Sequence, residues 1–302
     1  MSLPAYAPEA LLRRLEWTVV RRLDGLLQGD FRTLFRGNGI DLAGLREYQE
    51  GDDVRHIDWN VTARLQTLHV REYQQDRELT AWFVLDLSPS MDFASDTVSK
   101  RMVLTEFVAV MARLLTGRGN FCGAMLFSSG MDRIVRPRNG RRQVLHLLDL
   151  LAPRARVLRT DATDLRAVLD NAAALLRRRA MVFVVSDFVS RTEWSPALER
   201  LARRHDVVAV RLVDPLESRI PDLGLLTFQD AETREQILVD TGNRRFRQRF
   251  AAAAEKAQAT VRAAFARAGV DCLELSTEDD LLDALLRFTL MRRGRGARSA
   301  AS

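Results

Sequence analysis

The run Asp86-x-Ser88-x-Ser90 is the part of the sequence with the clearest capacity for chemistry. It begins at the last residue of an apolar stretch, LTAWFVLD at 79–86, which is typical of a buried strand. A loop that leaves a strand can turn alternate side chains toward one point, so this spacing offers one carboxylate and two hydroxyls to a single centre. The run is therefore a candidate for binding a cation.

Two further oxygen-bearing residues complete the candidate site. Asp187 ends a second apolar stretch, AMVFVVSD at 180–187, and Thr163 directly precedes a predicted helix at 164–179. In a parallel sheet, ligands bind beyond the carboxyl ends of the strands, near the switch in strand order. Hard oxygen ligands without nearby Cys or His suit Mg²⁺, or Mn²⁺, better than zinc or copper. The predicted magnesium site consists of Asp86, Ser88, Ser90, Thr163 and Asp187.

Helix capping is the simpler explanation for some of these residues. Ser, Thr and Asp are the favoured residues at helix N-termini, so Ser90 or Thr163 taken alone could simply start a helix. The five residues together favour a site, because three loops at one edge of a sheet supply the whole set.

The elements that must position this set form a regular alternation of strands and helices. Strands are predicted at 79–86, 121–127, 132–137, 180–187, 207–214 and 270–275. Amphipathic helices are predicted at 98–116, 140–151, 164–179, 194–204 and 243–268. This alternation predicts an α/β fold with a doubly wound, mostly parallel sheet. A hairpin at 225–230 and 234–240 is expected to interrupt it.

The alternation begins near residue 79, which divides the chain into three predicted parts. Residues 1–78 form an N-terminal extension, helical at first and then loop-rich, whose helix is marked by Leu12, Leu15, Val19, Leu23 and Leu26. Residues 79–290 form the α/β domain. Residues 291–302 form a basic tail, predicted to be disordered, that contains Arg292, Arg293, Arg295 and Arg298.

Composition limits the classes of function. The chain has 302 residues, 47% of them hydrophobic, which is ample for a core. Its 46 basic and 40 acidic residues give a net charge of +6, and all the basic residues except Lys100 and Lys256 are arginine. The charges are interleaved along helices, and no basic and aromatic pattern typical of RNA binding occurs, so nucleic acid is not an expected partner.

The cysteines and the hydropathy pattern indicate a cytoplasmic protein. Cys122 and Cys272 each lie in an apolar run, where buried, reduced thiols are expected. The N-terminus lacks the features of a secretory signal, and no uncharged apolar run approaches the roughly 20 residues needed to span a bilayer.

Several kinds of catalysis lack the residues that they need. Neither lysine lies in the Gly-x-x-x-x-Gly-Lys context of a P-loop. Phosphotransferases with a nucleophilic aspartate at a strand end usually carry Asp-x-Asp, where this chain has Ser88, and the Gly-x-Ser-x-Gly of serine hydrolases is absent. The sequence thus predicts a binding protein and no enzyme, with a magnesium-dependent hydrolase of phosphate esters as the alternative.

The order Asp-x-Ser-x-Ser, then Thr, then Asp resembles the metal-ion-dependent adhesion site of the von Willebrand factor A fold. The resemblance covers residues 79–290 and implies a magnesium-binding protein that recognises another protein. In this type of site the ion keeps one coordination position for an acidic side chain of the partner. Many members have a glycine after the final aspartate, where this chain has Phe188.

The segment 39–78 resembles the signature of the bacterial DUF58 family. The residues that carry this resemblance are Arg46, Tyr48, Gly51, Asp52, Asp53, Arg55, Asp58, Trp59 and Arg64. The resemblance implies association with a MoxR-type AAA+ ATPase, as an adaptor or co-chaperone that acts on the ATPase or on its client protein.

The same segment contains GDDVRHIDWN at 51–60, which is polar enough to suggest an active site. We expect a structural role, in which alternating Asp and Arg side chains form charge-assisted hydrogen bonds with Ile57 and Trp59 packed beneath them. Partner binding is the second interpretation and acid/base catalysis, with His56, the third.

Overall fold

The computed structural model describes residues 7–26, 45–49, 57, 59–71, 79–152, 163–190, 192–229 and 236–300. The chain forms two compact units, one made of Met1–Phe35 with Leu79–Ser302 and the other of Arg36–Glu78. The predicted extension 1–78 is therefore divided, because its helical start belongs to the same unit as the α/β domain.

The N-terminal helices are part of that unit because their apolar stripe is buried in its core. They are α1 (Pro8–Leu15) and α2 (Arg21–Leu26), joined by a π-helical turn at Glu16–Val20. Leu12, Leu15, Val19 and Leu23 are all buried, as their spacing predicts.

In the smaller unit, the described residues form a short antiparallel pair of strands and a helix. Strand β1 (Leu45–Glu47) pairs with β2 (His69–Arg71), and helix α3 (Trp59–Leu65) lies between them in the sequence.

Eight further strands lie in the described part of the larger unit. They are β3 (Thr80–Asp86), β4 (Phe121–Phe127), β5 (Met131–Arg138), β6 (Met181–Ser186), β7 (Asp206–Val213), β8 (Leu225–Gln229), β9 (Gln236–Asp240) and β10 (Asp271–Ser276). Each predicted strand is present, with ends that differ by at most one residue for the main-sheet strands and by up to two for the hairpin.

Six of these strands form the main sheet, in the order β10-β7-β6-β3-β4-β5. All neighbouring pairs are parallel except β4 with β5 at the edge. The order reverses between β3 and β6, which is therefore the switch point of the sheet. Strands β8 and β9 form the predicted hairpin as a separate two-stranded sheet.

The helices of the larger unit that follow β3 cover both faces of the sheet. They are α4 (Lys100–Gly117), α5 (Arg141–Leu151), α6 (Leu165–Leu175), α7 (Ser195–Ala202), α8 (Arg244–Ala268) and α9 (Leu281–Ala300). Phe83 and Leu85 of β3 face a core that includes α4, α5, α9 and the N-terminal helices. Val84 faces the opposite core, made with α6, α7 and α8. The doubly wound, mostly parallel α/β sheet is confirmed.

Helix α9 extends to Ala300, through most of the segment predicted to be a disordered tail. Arg292, the first arginine of that segment, is 5% exposed and contacts carboxylates at the amino ends of two strands. Its Nε lies 2.8 Å from Asp271 Oδ2 and its Nη2 lies 3.2 Å from Asp206 Oδ1. These ion pairs hold the start of the predicted tail against the sheet, which favours continuation of the helix at that point.

The two cysteines differ in burial. Cys122 is buried as predicted, whereas Cys272 is half-buried. Burial raises the pKa of both thiols to about 12, so both are protonated and unreactive at neutral pH. Within the residues that the structure describes, no helix is long and apolar enough to cross a membrane.

Candidate metal centre

Two predicted ligands come from the strands on either side of the switch point. Asp86 is the last residue of β3, and Asp187 directly follows Ser186, the last residue of β6. Ser186 Oγ donates a 2.6 Å hydrogen bond to Asp86 Oδ2. Asp86 and Asp187 are 1% and 3% exposed, so two carboxylates are buried side by side at the carboxyl edge of the sheet.

The loop after β3 brings its two serines to the same place. The Ser88 N–H donates to Asp86 Oδ1 at 2.9 Å, which turns the chain back over the strand end. Ser90 Oγ donates to Asp187 Oδ2 at 2.8 Å and lies 3.0 Å from Ser88 Oγ. Because the Ser90 proton is used on Asp187, Ser88 must be the donor to Ser90. The structure therefore gathers four of the five predicted ligands in one hydrogen-bonded chain.

Thr163 reaches this edge through its backbone. It is buried, and its carbonyl accepts a 3.2 Å hydrogen bond from Ser190 Oγ, in the loop that follows Asp187. Helix capping is done by other residues, since Asp164 accepts from the Ala167 N–H at 3.1 Å to cap α6.

In the loop after β3, too, a residue other than the predicted ligand caps the next helix. Ser99, and not Ser90, accepts from the N–H of Met102 to cap α4. Ser90 lies within a short 3₁₀ turn, Pro89–Asp92. Capping therefore does not account for Ser90 or Thr163.

Phe188 occupies a left-handed backbone conformation, with φ of 59°. This is the position where many proteins of the resembled fold have glycine, and glycine adopts this conformation without steric cost. The Phe188 ring is buried, and its centroid lies 4.8 Å from the ring centroid of Phe265 and 5.2 Å from that of Trp194. Aromatic packing thus offsets the backbone strain in the loop beside Asp187.

Arg101 braces the loop that carries the serines. Its Nη2 donates to the carbonyl oxygens of Leu87 and Ser88 at 3.1 and 3.4 Å, and to Asp92 Oδ2 at 3.0 Å. The guanidinium can hold several acceptors at once because its donors form a planar fork.

Lys100 was not predicted to belong to the site. Its side chain is 1% exposed, and Nζ lies 2.9 Å from Asp187 Oδ2 and 2.5 Å from Glu217 Oε1. Lys100 is separated from Asp187 by 87 residues, and no local pattern marks a lysine at a helix start as buried.

Asp214 and Glu217 were also missed, although Asp214 ends the predicted strand 207–214. Asp214 is buried and accepts hydrogen bonds from Ser95 Oγ at 2.9 Å and Thr277 Oγ1 at 3.0 Å. Its N–H donates to Glu217 Oε2 at 3.1 Å, which fixes Glu217 beside Lys100. Asp214 ends its predicted strand in the same way as Asp86 and Asp187 end theirs, and this shared position is the sequence feature that indicates its place at the same edge of the sheet.

Burial and charge shift the pKa values of the centre. Burial, together with the negative charge of Asp187, raises the pKa of Asp86 from 3.8 to about 7. Burial by itself lowers the pKa of Lys100, but the charges of Asp187 and Glu217 outweigh it and raise the pKa above 10.5. Lys100 is therefore charged at neutral pH, and Asp86 takes up a proton at a much higher pH than an ordinary aspartate does.

The donor set fits a hard divalent cation. The two carboxylates and the Ser88 and Ser90 hydroxyls retain free lone pairs, since each hydroxyl oxygen still has acceptor capacity after donating its proton. In the described part of the chain no group of three or more His, Cys, Asp and Glu residues is arranged to hold a metal, so an ion would depend on the hydroxyls. Oxygen ligands of this kind suit Mg²⁺ or Mn²⁺.

The signature residues of 39–78 are only partly described. Arg46 pairs with Val70 in the β1–β2 ladder, and the Tyr48 N–H donates to the Leu68 carbonyl at 2.8 Å. Arg64 is exposed. His56 and five residues of the signature lie outside the described residues; the five are Gly51, Asp52, Asp53, Arg55 and Asp58.

Trp59 differs from its prediction. We expected its ring to pack beneath the charged residues, but it is 66% exposed. It is the first residue of the seven-residue helix α3.

The sheet order, the covering helices and the Asp-x-Ser-x-Ser loop at the switch point together define a domain of the von Willebrand factor A type. The chain belongs to the DUF58 family, described as proteins of unknown function, whose sequence profile matches residues 44–260. Uncharacterised proteins of Mycobacterium bovis and Mycobacterium tuberculosis are 37% identical over 290 residues, which is 95% of this chain and 90% of theirs.

Two solved structures show more distant similarity. An aerotolerance-related membrane protein from Bacteroides fragilis is 14% identical, with a TM-score of 0.46 over 72% of this chain and 99% of its own. The Rpn10 von Willebrand factor A domain is 12% identical, with a TM-score of 0.39 over 70% of this chain and 94% of its own.

Proposed function

We propose that this protein is a metal-dependent adaptor that binds an acidic side chain of a partner protein at the Asp86 loop. The observation that carries the proposal is the convergence of Asp86, Ser88, Ser90 and Asp187 at the switch point of the sheet. Two carboxylates balance a divalent charge, and the hydroxyls add none, so the centre remains attractive to one more anion.

The side chains of the centre have separate tasks in this proposal. Asp86 and Asp187 would hold Mg²⁺ or Mn²⁺, with Ser88, Ser90 and Thr163 as hydroxyl ligands, directly or through water. When bound, the ion offers one coordination position to a Glu or Asp of the partner. Arg101 keeps the loop in shape through its contacts with the Leu87 and Ser88 carbonyls.

The partner that we propose is a MoxR-type AAA+ ATPase or the client protein that such an ATPase serves. Membership of the DUF58 family supports this choice through the association that the signature 39–78 implies. The protein would then act in the bacterial cytoplasm as a co-chaperone that couples ATP hydrolysis by its partner to work on the client.

Binding is favoured over hydrolysis of phosphate esters by the position of the basic groups. His205 directly precedes β7, at the edge of the sheet opposite to Asp86, and His146 is exposed on α5. The serine protons are used within the cluster on carboxylates and on each other. A nucleophile needs an adjacent base with free capacity, and Asp187, the carboxylate that accepts the Ser90 proton, is already paired with the Lys100 ammonium.

The test is the dissociation constant of this protein with a purified MoxR-type ATPase, measured with Mg²⁺ and with EDTA. We expect EDTA and Ser88→Ala to weaken the complex without unfolding the protein. Thr260→Ala is a matched control, because Thr260 is an exposed hydroxyl on α8 that donates to its own helix. Equal affinity with Mg²⁺ and EDTA would show that the partner binds elsewhere.

A further inference from the structure

Lys100 is buried at a position where a lysine normally keeps its ammonium in water. It is the first residue of α4, yet its side chain is 1% exposed and reaches two carboxylates, Asp187 and Glu217. Arginine fills 44 of the 46 basic positions of the chain. A compact ammonium can lie at a point between two carboxylates, whereas a planar guanidinium requires more space.

Asp187 is shared between the ammonium and the predicted ion site. Its Oδ2 accepts from Lys100 Nζ at 2.9 Å and from Ser90 Oγ at 2.8 Å, while Oδ1 accepts from the Val189 N–H at 3.0 Å. A cation that binds this carboxylate therefore shares it with a second positive charge. Two cations on one buried carboxylate repel each other strongly, because little solvent lies between them.

Glu217 gives the ammonium a second partner that is not among the predicted ligands. Its Oε1 lies 2.5 Å from Lys100 Nζ, and its Oε2 accepts from the Asp214 N–H at 3.1 Å. The backbone contact fixes Glu217 in the short turn Pro215–Glu217, independently of Lys100. Glu217 can therefore keep the ammonium paired when its contact with Asp187 weakens.

We infer that Lys100 competes with a divalent ion for Asp187, and that Glu217 is the carboxylate that retains Lys100 when the ion binds. The inference rests on the proposed function, because it assigns a regulator to the same ion site. Lys100 sets the affinity of the site for the ion, and Glu217 limits how strongly Lys100 opposes it.

The net charge around the ion site predicts opposite changes in ion affinity for two substitutions. Lys100→Met removes the competing charge and leaves three carboxylates, Asp86, Asp187 and Glu217, to attract the ion. Glu217→Gln removes the second partner, so the ammonium is held by Asp187 alone and the site becomes more positive. A unit charge within about 4 to 6 Å of a carboxylate changes its affinity for a proton by about 10- to 1000-fold. A metal ion is also a cation bound by the carboxylate, so we expect each substitution to change the dissociation constant for the ion by roughly tenfold or more.

The experiment measures the dissociation constant for Mn²⁺ in the full-length protein, from the electron paramagnetic resonance signal of free Mn²⁺. Lys100→Met should bind Mn²⁺ more tightly than the parent, and Glu217→Gln should bind it more weakly. Lys256→Met and Glu255→Gln are matched controls, because both residues are exposed on α8 and the substitutions make the same changes in net charge. The controls should bind like the parent.

Stability of the variants is measured alongside binding. Lys100→Met leaves Asp187 and Glu217 without their cation, so its Tm should be low in EDTA and should rise more with Mn²⁺ than the Tm of the parent. If Lys100→Met does not fold, Glu217→Gln still decides the matter, since Glu217 is 36% exposed and its loss leaves Lys100 paired with Asp187.

The outcomes separate this inference from the proposed function. If the parent and both variants bind Mn²⁺ with one affinity, the competition is disproved and the ion-dependent adaptor stands. If Lys100→Met binds Mn²⁺ and the parent does not, the competition is supported and the adaptor loses its metal dependence. If none of the proteins binds Mn²⁺, both are wrong.

Discussion

Ser186 Oγ donates a 2.6 Å hydrogen bond to Asp86 Oδ2, and this contact joins the carboxyl ends of β6 and β3 where the strand order reverses. Both residues are 1% exposed. Burial, with the charge of Asp187, raises the pKa of Asp86 to about 7, so the carboxyl that links the two strands changes its protonation near neutral pH.

The first prediction concerns stability in EDTA as a function of pH. The pKa of Asp86 is higher in the folded protein, about 7, than its ordinary value of 3.8, so the folded protein binds the proton more tightly. The contribution of protonated Asp86 to the free energy of unfolding is therefore complete below about pH 4, and it is lost as the pH rises through about 7. Asp86→Asn should remove this dependence and stabilise the protein at neutral pH by a few kcal/mol, at about 1.4 kcal/mol per pKa unit.

Denaturant unfolding at a series of pH values in EDTA measures this effect. Asp283→Asn is a suitable control, because Asp283 is exposed in the first turn of α9. A parent protein whose free energy of unfolding is no more pH-dependent than that of Asp86→Asn would contradict the raised pKa.

The second prediction is that Mg²⁺ or Mn²⁺ raises the Tm. A ligand that binds only the folded state stabilises it by mass action, by about 2.7 kcal/mol at ~100 times the dissociation constant. Asp86→Ala should abolish the response. A proton on Asp86 competes with the ion, so the response should be larger at about pH 8 than at about pH 6. An equal gain in Tm for the parent and Asp86→Ala would show that the ion binds elsewhere.

The sequence predicts the elements of the α/β unit well because its strands are continuous apolar runs and its helices have a clear period. It also predicts that Asp86, Ser88, Ser90 and Asp187 meet, since they follow strands that share an edge. It does not predict Lys100, because burial of a lysine depends on carboxylates, Asp187 and Glu217, that are distant in the sequence. Local patterns carry no information about such pairings.

Phe188 shows a second limit of sequence interpretation. The left-handed conformation of this residue, with φ of 59°, cannot be inferred from a phenylalanine, which rarely adopts it. Tertiary packing on Trp194 and Phe265 overrides the local preference. The aromatic cluster is built by residues up to 77 positions apart in the chain.

The third prediction compares Phe188→Gly with Phe188→Ala. Both substitutions remove the buried ring, at a cost of about 3 to 5 kcal/mol. Only Gly also relieves the left-handed backbone, so Phe188→Gly should be more stable than Phe188→Ala by about 1 kcal/mol. Urea unfolding of the two variants measures the difference. The opposite order, with Ala the more stable, would mean that residue 188 is not in a left-handed conformation.

The fourth prediction concerns the helix that replaces the expected tail. Arg292 pairs with Asp206 and Asp271, and its side chain is 4% exposed. Arg292→Ala leaves these carboxylates without their cation and should destabilise the protein by about 3 to 5 kcal/mol. The end of α9 should become sensitive to protease. Arg287→Ala is the control, since Arg287 is exposed on the same helix. Unchanged stability of Arg292→Ala would support a disordered tail.

The last prediction is that Arg101 keeps the Asp86 loop in the shape that the ion site requires. Its guanidinium donates to the carbonyls of Leu87 and Ser88, and Arg101→Met removes both hydrogen bonds, at a cost on the order of 1 kcal/mol each, because the Ser88 carbonyl keeps its bond from the Met91 N–H. Hydrogen exchange of the amides in residues 88–93 should therefore become faster, and affinity for Mn²⁺ should fall with it. Arg118→Met, at the exposed end of the same helix, should change neither. Lower stability of Arg101→Met with unchanged exchange in 88–93 would mean that Arg101 serves packing alone and does not position the loop.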